Sequence, residues 1–459
     1  MKNTHTLTCL PMKFTLPVLN QLIVDIEITD NPYELKADDL FQMAARINKK
    51  RSFLFVSKIL GKHIPIDPKI GLLTGALLAN RYMETRMEID TGLRERLLSF
   101  FSNHLDEYVD DPFINEQVNP VIIGFAETAT ALGHAFYQSF QKADFFHTTR
   151  EQLLDIESVI MFEEEHSHAT SHRCYVDESI LNNKREIILV DDEMTTGKTN
   201  VNIIRSIQKR FPRKTYTVVS ILDWRSDENI QLYRELEQEL GITIYSVSLL
   251  KGQIQTSGTP DINETNAIET MNHSHTELSI IHLNEFFPNH LTKANYSSLS
   301  LEGEVADIPY LKETGRFGLS SQTNKLVNQS LKEMGQFLKG QRIGKRALCL
   351  GTGEFMYLPM KLASYMGDGI SYQSTTRSPI YVENRERYGA RFGLAFPHPE
   401  DKQINQFVYN IPPNEYDQIF VFFERAVSME NLQPMLNELM RVNIPDIKVV
   451  FFNGSCQDE

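Results

Sequence analysis

Cysteine is scarce: the 459 residues hold four, Cys9, Cys174, Cys349 and Cys456, widely scattered and without a CxxC pair. That excludes a disulfide framework and a cysteine zinc site, and it suits a reducing compartment. No apolar run reaches the roughly 18 residues that a membrane span needs. The first twenty residues contain Lys2 but no sustained apolar core. They do not resemble a secretory signal, so a cytoplasmic location is expected. Positive charge is also short, with 46 Lys and Arg against 60 Asp and Glu and a net charge of −14. There is no basic block, basic stripe or helix-turn-helix signal. Duplex nucleic acid, which is held by neutralising phosphates, is therefore not the expected partner, and neither is a membrane. A local basic pocket for one phosphorylated metabolite remains compatible. Gly and Pro are not in excess and 41% of residues are hydrophobic, as in a globular chain.

The length allows two to four domains. Residues 20–28 read as a strand, 37–49 as a helix with Asp38 and Asp39 near its start, and 92–108 as another helix. Strands at 119–124, 157–162, 186–190 and 216–222 then alternate with helices at 129–141 and 199–210. Apolar strands separated by helices predict a parallel sheet covered on both faces. Residues 252–276 are polar and read as a loop or linker. Further strands at 347–350, 370–374, 417–423 and 447–452, with a helix at 355–366, predict a second α/β domain. The expected fold is α/β, with two Rossmann-like domains of largely parallel sheet and a boundary between residues 285 and 286. VIIGFAETATALG resembles ALCLGTGEFMYLP in pattern, EIILVDDEMTTG lines up with QIFVFFERAVSM, and IGLLTGALLANR faces GRFGLSSQTNKL. That is an internal repeat, or only the pattern that any two α/β units share.

Residues 187–199 carry the clearest chemistry: I-I-L-V-D-D-E-M-T-T-G-K-T. Acids at the C-terminal end of a strand stand at the mouth of an open α/β sheet, where ligands bind. Asp191 and Asp192 can accept hydrogen bonds from a ribose diol. The turn Thr195, Thr196, Gly197, Lys198, Thr199 offers amides and hydroxyls to a phosphate at a helix N-terminus. Gly197 allows close backbone approach. A nucleotide P-loop ending in the same G-K-T needs glycine where Asp192 stands, and a carboxylate there repels a triphosphate.

The segment closely resembles the PRPP-binding motif of type I phosphoribosyltransferases. The resemblance implies that fold for the first domain. It implies that Asp191 and Asp192 hold the ribose hydroxyls, and that residues 195–199 cradle the 5′-phosphate. It also implies Mg²⁺ bound together with PRPP, on the side of Asp191 and Asp192. The loop G-F-A-E-T at 124–128 occupies the place that binds pyrophosphate in that family, through amides such as those of Ala126 and Thr128. Glu127 departs from the commoner basic or glycine-rich version and is expected to bind substrate or metal; a plain strand-to-helix turn is the alternative. Residues 163–173, E-E-E-H-S-H-A-T-S-H-R, stand where the family has a mobile loop that closes over the site and excludes water. His166, His168, His172 and Arg173 are the expected pyrophosphate contacts, with His168 counted among the catalytic residues alongside Asp191, Asp192 and Glu127. A transition-metal site or a solvated polar loop are the other readings of that cluster.

The C-terminal region resembles the TRSP domain. The resemblance rests on Thr376-Arg377-Ser378-Pro379, Gly315-Arg316-Phe317-Gly318, the run from Gly351 to Met356, Asn410 and Phe423-Glu424. That domain accompanies a phosphoribosyltransferase family encoded in tellurite-resistance-associated biosynthetic gene clusters, whose first domain carries loops like 124–130 and 164–170 here. Arg316 and Arg377 are expected to bind an anion there, since arginine forks suit phosphate and carboxylate. Thr375, Thr376 and Ser378 add hydroxyls, and a structural ion pair is the alternative for Arg377. A dinucleotide fold needs glycine at Met356, and a methyltransferase loop wants one near Phe355. The expectation is a phosphoribosyltransferase that uses PRPP and Mg²⁺ to form or cleave a ribosyl bond in making a nucleotide-like small molecule. Its partner is PRPP or a ribonucleotide-like molecule, in a homo-oligomer or an intramolecular pseudo-dimer whose second domain is a degenerate copy. A PRPP or nucleotide sensor and an enzyme running the reaction backward are the alternatives.

Overall fold

The architecture comes from a computed structural model that describes residues 12–19, 21–47, 52–102, 105–163, 171–260, 262 and 276–454. An eight-stranded sheet organises the first lobe. Its centre is five parallel strands, Val121–Gly124, Asp144–His147, Ile187–Met194, Thr215–Asp223 and Thr243–Ser257. In chain order they stand second, first, third, fourth, fifth across the sheet. Val121 to Ile123 and Ile187 to Val190 are fully buried, which is why these strands are apolar without alternation: helices cover both faces. One cover is the helix Pro68–Thr85. It starts where proline suits the first turn and Asp67 caps it, accepting from Lys69 N at 2.9 Å. The strands Leu22–Asp30 and Met12–Val18 extend the sheet antiparallel beyond Thr243–Ser257.

A second sheet of five strands is parallel throughout: Glu277–His282, Ala347–Gly351, Ile370–Ser374, Gln418–Arg425 and Asp446–Asn453. Its last four strands also stand second, first, third, fourth, and Glu277–His282 takes the edge beside the last. The sheets are interleaved in sequence. Glu277–His282 lies before the expected boundary at 285/286 yet pairs in the second sheet. Leu319–Ser320 lies after it and adds to Asp144–His147 at the edge of the first. The lobes meet where the helices Ala129–Tyr137 and Tyr357–Ala363 touch. There the His134 ring stacks on Tyr357 with centroids 3.6 Å apart, and its Nε2 lies 2.9 Å from Asn324 Oδ1.

Two element expectations need correction. Of the helix expected over 37–49, the described residues are helical only at Ala37–Leu40; Phe41–Ala45 is a strand, paired antiparallel with Phe53–Ser57. Phe41 meets Phe55 edge-on at 4.9 Å, and Phe55 stacks on Trp224 at 4.9 Å. This aromatic packing overrides a weak helical pattern. Within the linker expected over 252–276, Thr243–Ser257 continues as strand because residues 251–257 pair with Leu22–Asp30. Residue 261 and residues 263–275 lie outside the described residues.

Candidate active site

The strand Ile187–Met194 brings its acids to the mouth of the first sheet. Pairing with Thr215–Asp223 runs on to Met194, so the acids are held by ladder bonds rather than by a loop. Asp191 Oδ1 accepts from Asp192 N at 2.9 Å. Burial pushes the Asp192 carboxyl above its usual range, and neighbouring Glu193 adds to the rise. The chain then turns through Thr195, Thr196 and Gly197 into the helix Lys198–Arg210. Gly197 is left-handed at φ 73°, and the first amide of the helix it begins, Lys198 N, donates to Thr196 Oγ1 at 3.4 Å. Tyr233 Oη donates to Gly197 O at 2.9 Å. A Cβ at Gly197 would meet that same Oη at 2.4 Å. The turn is thus shaped by a glycine requirement and a buried tyrosine, and its residues line the cavity at the strand mouth.

Across from it lies the loop after Val121–Gly124. Ala126 N donates to Thr148 Oγ1 at 2.9 Å, and the peptide between Ala126 and Glu127 is cis. Glu127 is buried, with Lys62 Nζ at 3.2 Å and the Arg377 amide at 3.4 Å from Oε2. Burial alone would raise its carboxyl, but Lys62, Arg377 and Arg150 together hold it below the ordinary value. Lys62 is itself only 2% exposed. Three cations therefore face one carboxylate, Arg150 and Arg377 on the cavity wall and Lys62 buried behind it. Both loops open on one cavity of about 430 Å³, within the range of small-ligand sites.

The structure brings together most of the residues expected from the sequence. Asp191, Asp192, Thr195, Thr196, Gly197, Thr199, Ala126, Glu127, Thr128 and Arg377 all line this cavity. Lys198 does not: its side chain is exposed on another surface, and only its main chain belongs to the turn. Arg173 is a correction. Its Nη1 donates to the carbonyls of Arg150 at 3.2 Å and Ser171 at 3.3 Å, and it is not part of the cavity wall. His172 is on the wall, its Nδ1 2.8 Å from Thr148 Oγ1. His166 and His168 lie outside the described residues.

Arg316 is the second correction. It is 1% exposed and away from the cavity, so it is no site for a soluble anion. Its guanidinium reaches Glu424 at 2.9 Å, Glu151 at 3.3 Å and Glu354 at 3.6 Å. Sequence reasoning missed His63, Arg150, Glu193 and Asn200, which line the cavity, and Lys62, which is paired with Glu127 behind it. For Arg150 a signal existed: Thr148-Thr149-Arg150 follows one strand as Thr375-Thr376-Arg377 follows another. Lys62 lies far from any motif and carries none. Among the described residues no cluster of three His, Cys, Asp or Glu could hold a metal.

Residues 40–253 match a family model described as phosphoribosyl transferase, and residues 313–439 match one described as the TRSP domain C-terminal to it. The chain carries a phosphoribosyltransferase domain. That agrees with the enzyme class expected from the sequence. No curated protein matches. Adenine phosphoribosyltransferase from Trypanosoma brucei, solved with AMP, pyrophosphate and ribose-5-phosphate, is similar at 12% identity, covering 49% of this chain and 82% of that one, with TM-score 0.31. The adenine enzyme of Saccharomyces cerevisiae is 15% identical over 34% and 79%, with TM-score 0.21. Orotate phosphoribosyltransferase from Aeropyrum pernix is 15% identical over 28% and 58%, with TM-score 0.16. The phosphoribosyltransferase span holds Lys62, Glu127, Asp191, Asp192 and the glycine turn, whereas Arg377 belongs to the TRSP span.

Proposed function

We propose that this phosphoribosyltransferase domain takes PRPP as its donor and moves the phosphoribosyl group to or from a nucleotide-like small molecule. The observation that carries the reading is one cavity walled by the strand-end acids and glycine turn on one side and the Glu127 loop on the other. In this reading the turn 195–199 holds the 5′-phosphate, and Asp191 and Asp192 accept from the ribose hydroxyls. Arg150 and Arg377 on the cavity wall, with Lys62 buried behind Glu127, receive the departing diphosphate, while the acids lie on the side where C1′ becomes positive. Placing both charges before reaction is what lowers the barrier. The hairpin Ile160–Glu163 with Ser171–Cys174 carries His172 to the site and would help to exclude water. Leu54, Phe55 and Phe125 line the same cavity and suit a flat acceptor.

The residues fit Mg²⁺ arriving with the donor. Asp191 and Asp192 stand near the end of their strand on the cavity wall, and Mg²⁺ usually binds through one or two carboxylates plus substrate phosphates rather than a full protein cage. Bound there with PRPP, Mg²⁺ would neutralise phosphate charge. The same proposal includes a cytoplasmic setting and the tellurite-resistance gene neighbourhood that the TRSP resemblance implies. Its test is pyrophosphate release from PRPP and Mg²⁺ across a panel of bases and amines, with nucleotide plus pyrophosphate as the reverse assay. Acceptor-dependent release in either direction supports the reading. Silence in both, from folded protein that also fails to bind PRPP, would sink it.

A further inference from the structure

The lobes repeat one another, bond for bond, at the ends of their first two core strands. Thr148 N donates to Gly124 O at 2.9 Å, and Thr375 N donates to Gly351 O at 3.0 Å. Thr148 Oγ1 accepts from Ala126 N at 2.9 Å, and Thr375 Oγ1 accepts from Gly353 N at 2.8 Å. Thr149 exchanges two backbone bonds with Arg173 of its hairpin, at 2.9 and 2.8 Å. Thr376 does the same with Phe407 of the hairpin Gly393–His398 and Asp401–Tyr409, at 2.9 and 2.7 Å. Each lobe therefore ends its second core strand in a Thr-Thr-Arg loop pinned to its own frame.

The arginines of these loops cross between lobes. Arg150 N donates to Glu354 of the second lobe at 2.8 Å, and Arg377 N donates to Glu127 of the first at 3.4 Å. Glu127 and Glu354 stand at the same place, three residues beyond Gly124 and Gly351. The pairing register also matches Glu424 to Asp192, since Gly124 pairs with Val190 and Gly351 with Phe422.

The two ends of this local twofold differ in what meets their acids. Beside Glu354 and Glu424 stands Arg316, an internal guanidinium packed 4.6 Å from the Tyr310 ring centroid. Beside Glu127 and Asp192 lies the cavity, and Arg377 lines it with its Nε buried and without a hydrogen-bond partner. An arginine fork with an unmet donor, on a wall that already carries Arg46 and Arg150, is built for a doubly charged phosphate group.

We infer that the second lobe is the partner subunit of the first within one chain, with its own site closed by Arg316. Its Thr376-Arg377-Ser378 segment binds the diphosphate end of the donor in the first lobe's site. This rests on the PRPP reading and gives the TRSP tetrapeptide its task. The 5′-phosphate end is held by the opposite wall, so the two ends of the donor separate the effects. The experiment titrates Mg-pyrophosphate and ribose 5-phosphate as separate probes into full-length wild type, Arg377→Ala and Arg377→Lys. Arg377→Ala is expected to weaken pyrophosphate by about tenfold or more, with ribose 5-phosphate unchanged within about twofold and Arg377→Lys in between. Unchanged pyrophosphate affinity in Arg377→Ala, or equal loss of both probes, overturns the inference and leaves the donor reading standing. Wild type that binds neither probe overturns the donor reading, and the inference with it.

Discussion

Gly197→Ala is the sharpest small perturbation of the site. The residue sits at φ 73°, where an L side chain costs about 1–2 kcal/mol. Its new Cβ would also lie 2.4 Å from Tyr233 Oη and 2.9 Å from Cε2, inside any real contact distance. Tyr233 cannot step aside cheaply: it is 4% exposed and its ring lies 4.3 Å beneath the Arg225 guanidinium. Moving it would break the 2.9 Å bond to Gly197 O, worth about 1 kcal/mol. The sum is about 2–3 kcal/mol, borne by the turn that offers amides to the phosphate. Ribose 5-phosphate affinity should fall between about thirtyfold and about 150-fold, with a small drop in melting temperature. Calorimetric titration beside thermal unfolding reads both. An affinity within about threefold of wild type and an unchanged melting temperature would refute the reasoning, because the turn would then tolerate a side chain.

Arg316→Ala leaves the buried carboxylates of Glu424 and Glu354 and the half-buried one of Glu151 without their shared cation. It should destabilise the chain by about 3–5 kcal/mol, seen in urea unfolding; a loss under about 1 kcal/mol would contradict the buried network. Four buried histidines set an acid limit on stability. Burial pushes His63, His134 and His147 down to about 3 and His398 to about 4. Their folded values lie below the unfolded one, so the unfolded chain binds more protons and stability falls as pH drops below about 6.5, by roughly 1.4 kcal/mol per pH unit for each. The carboxyls of Glu400 and Glu424, raised by burial, oppose this lower in pH. Urea unfolding should show a net loss from pH 7 to pH 5.5, and a flat or rising stability would refute the burial of these rings.

What could be read in the sequence was what is local. Apolar strands, the acids that end one of them and the glycine turn that follows are encoded within thirteen residues, and the structure places them as expected. The distant partners were not legible. Lys62 reaches Glu127 only because two separate segments fold onto one sheet mouth. Arg316 looked like an anion binder because an arginine between glycines says nothing of the carboxylates that will surround it. The strand Phe41–Ala45 was misread because its partner and the Trp224 ring, not its own pattern, decide its state. The paired Thr-Thr-Arg loops were in plain view, but their meaning needed the hydrogen bonds that cross the lobes.

The central claim is a PRPP site on the first lobe, and the direct measurement is calorimetric titration of PRPP, with and without Mg²⁺, into wild type and an Asp191→Asn/Asp192→Asn double variant. The account predicts Mg²⁺-dependent binding to wild type that the variant weakens by about tenfold or more. Wild-type protein that is folded and binds no PRPP, or a variant that binds it as well as wild type does, would contradict it.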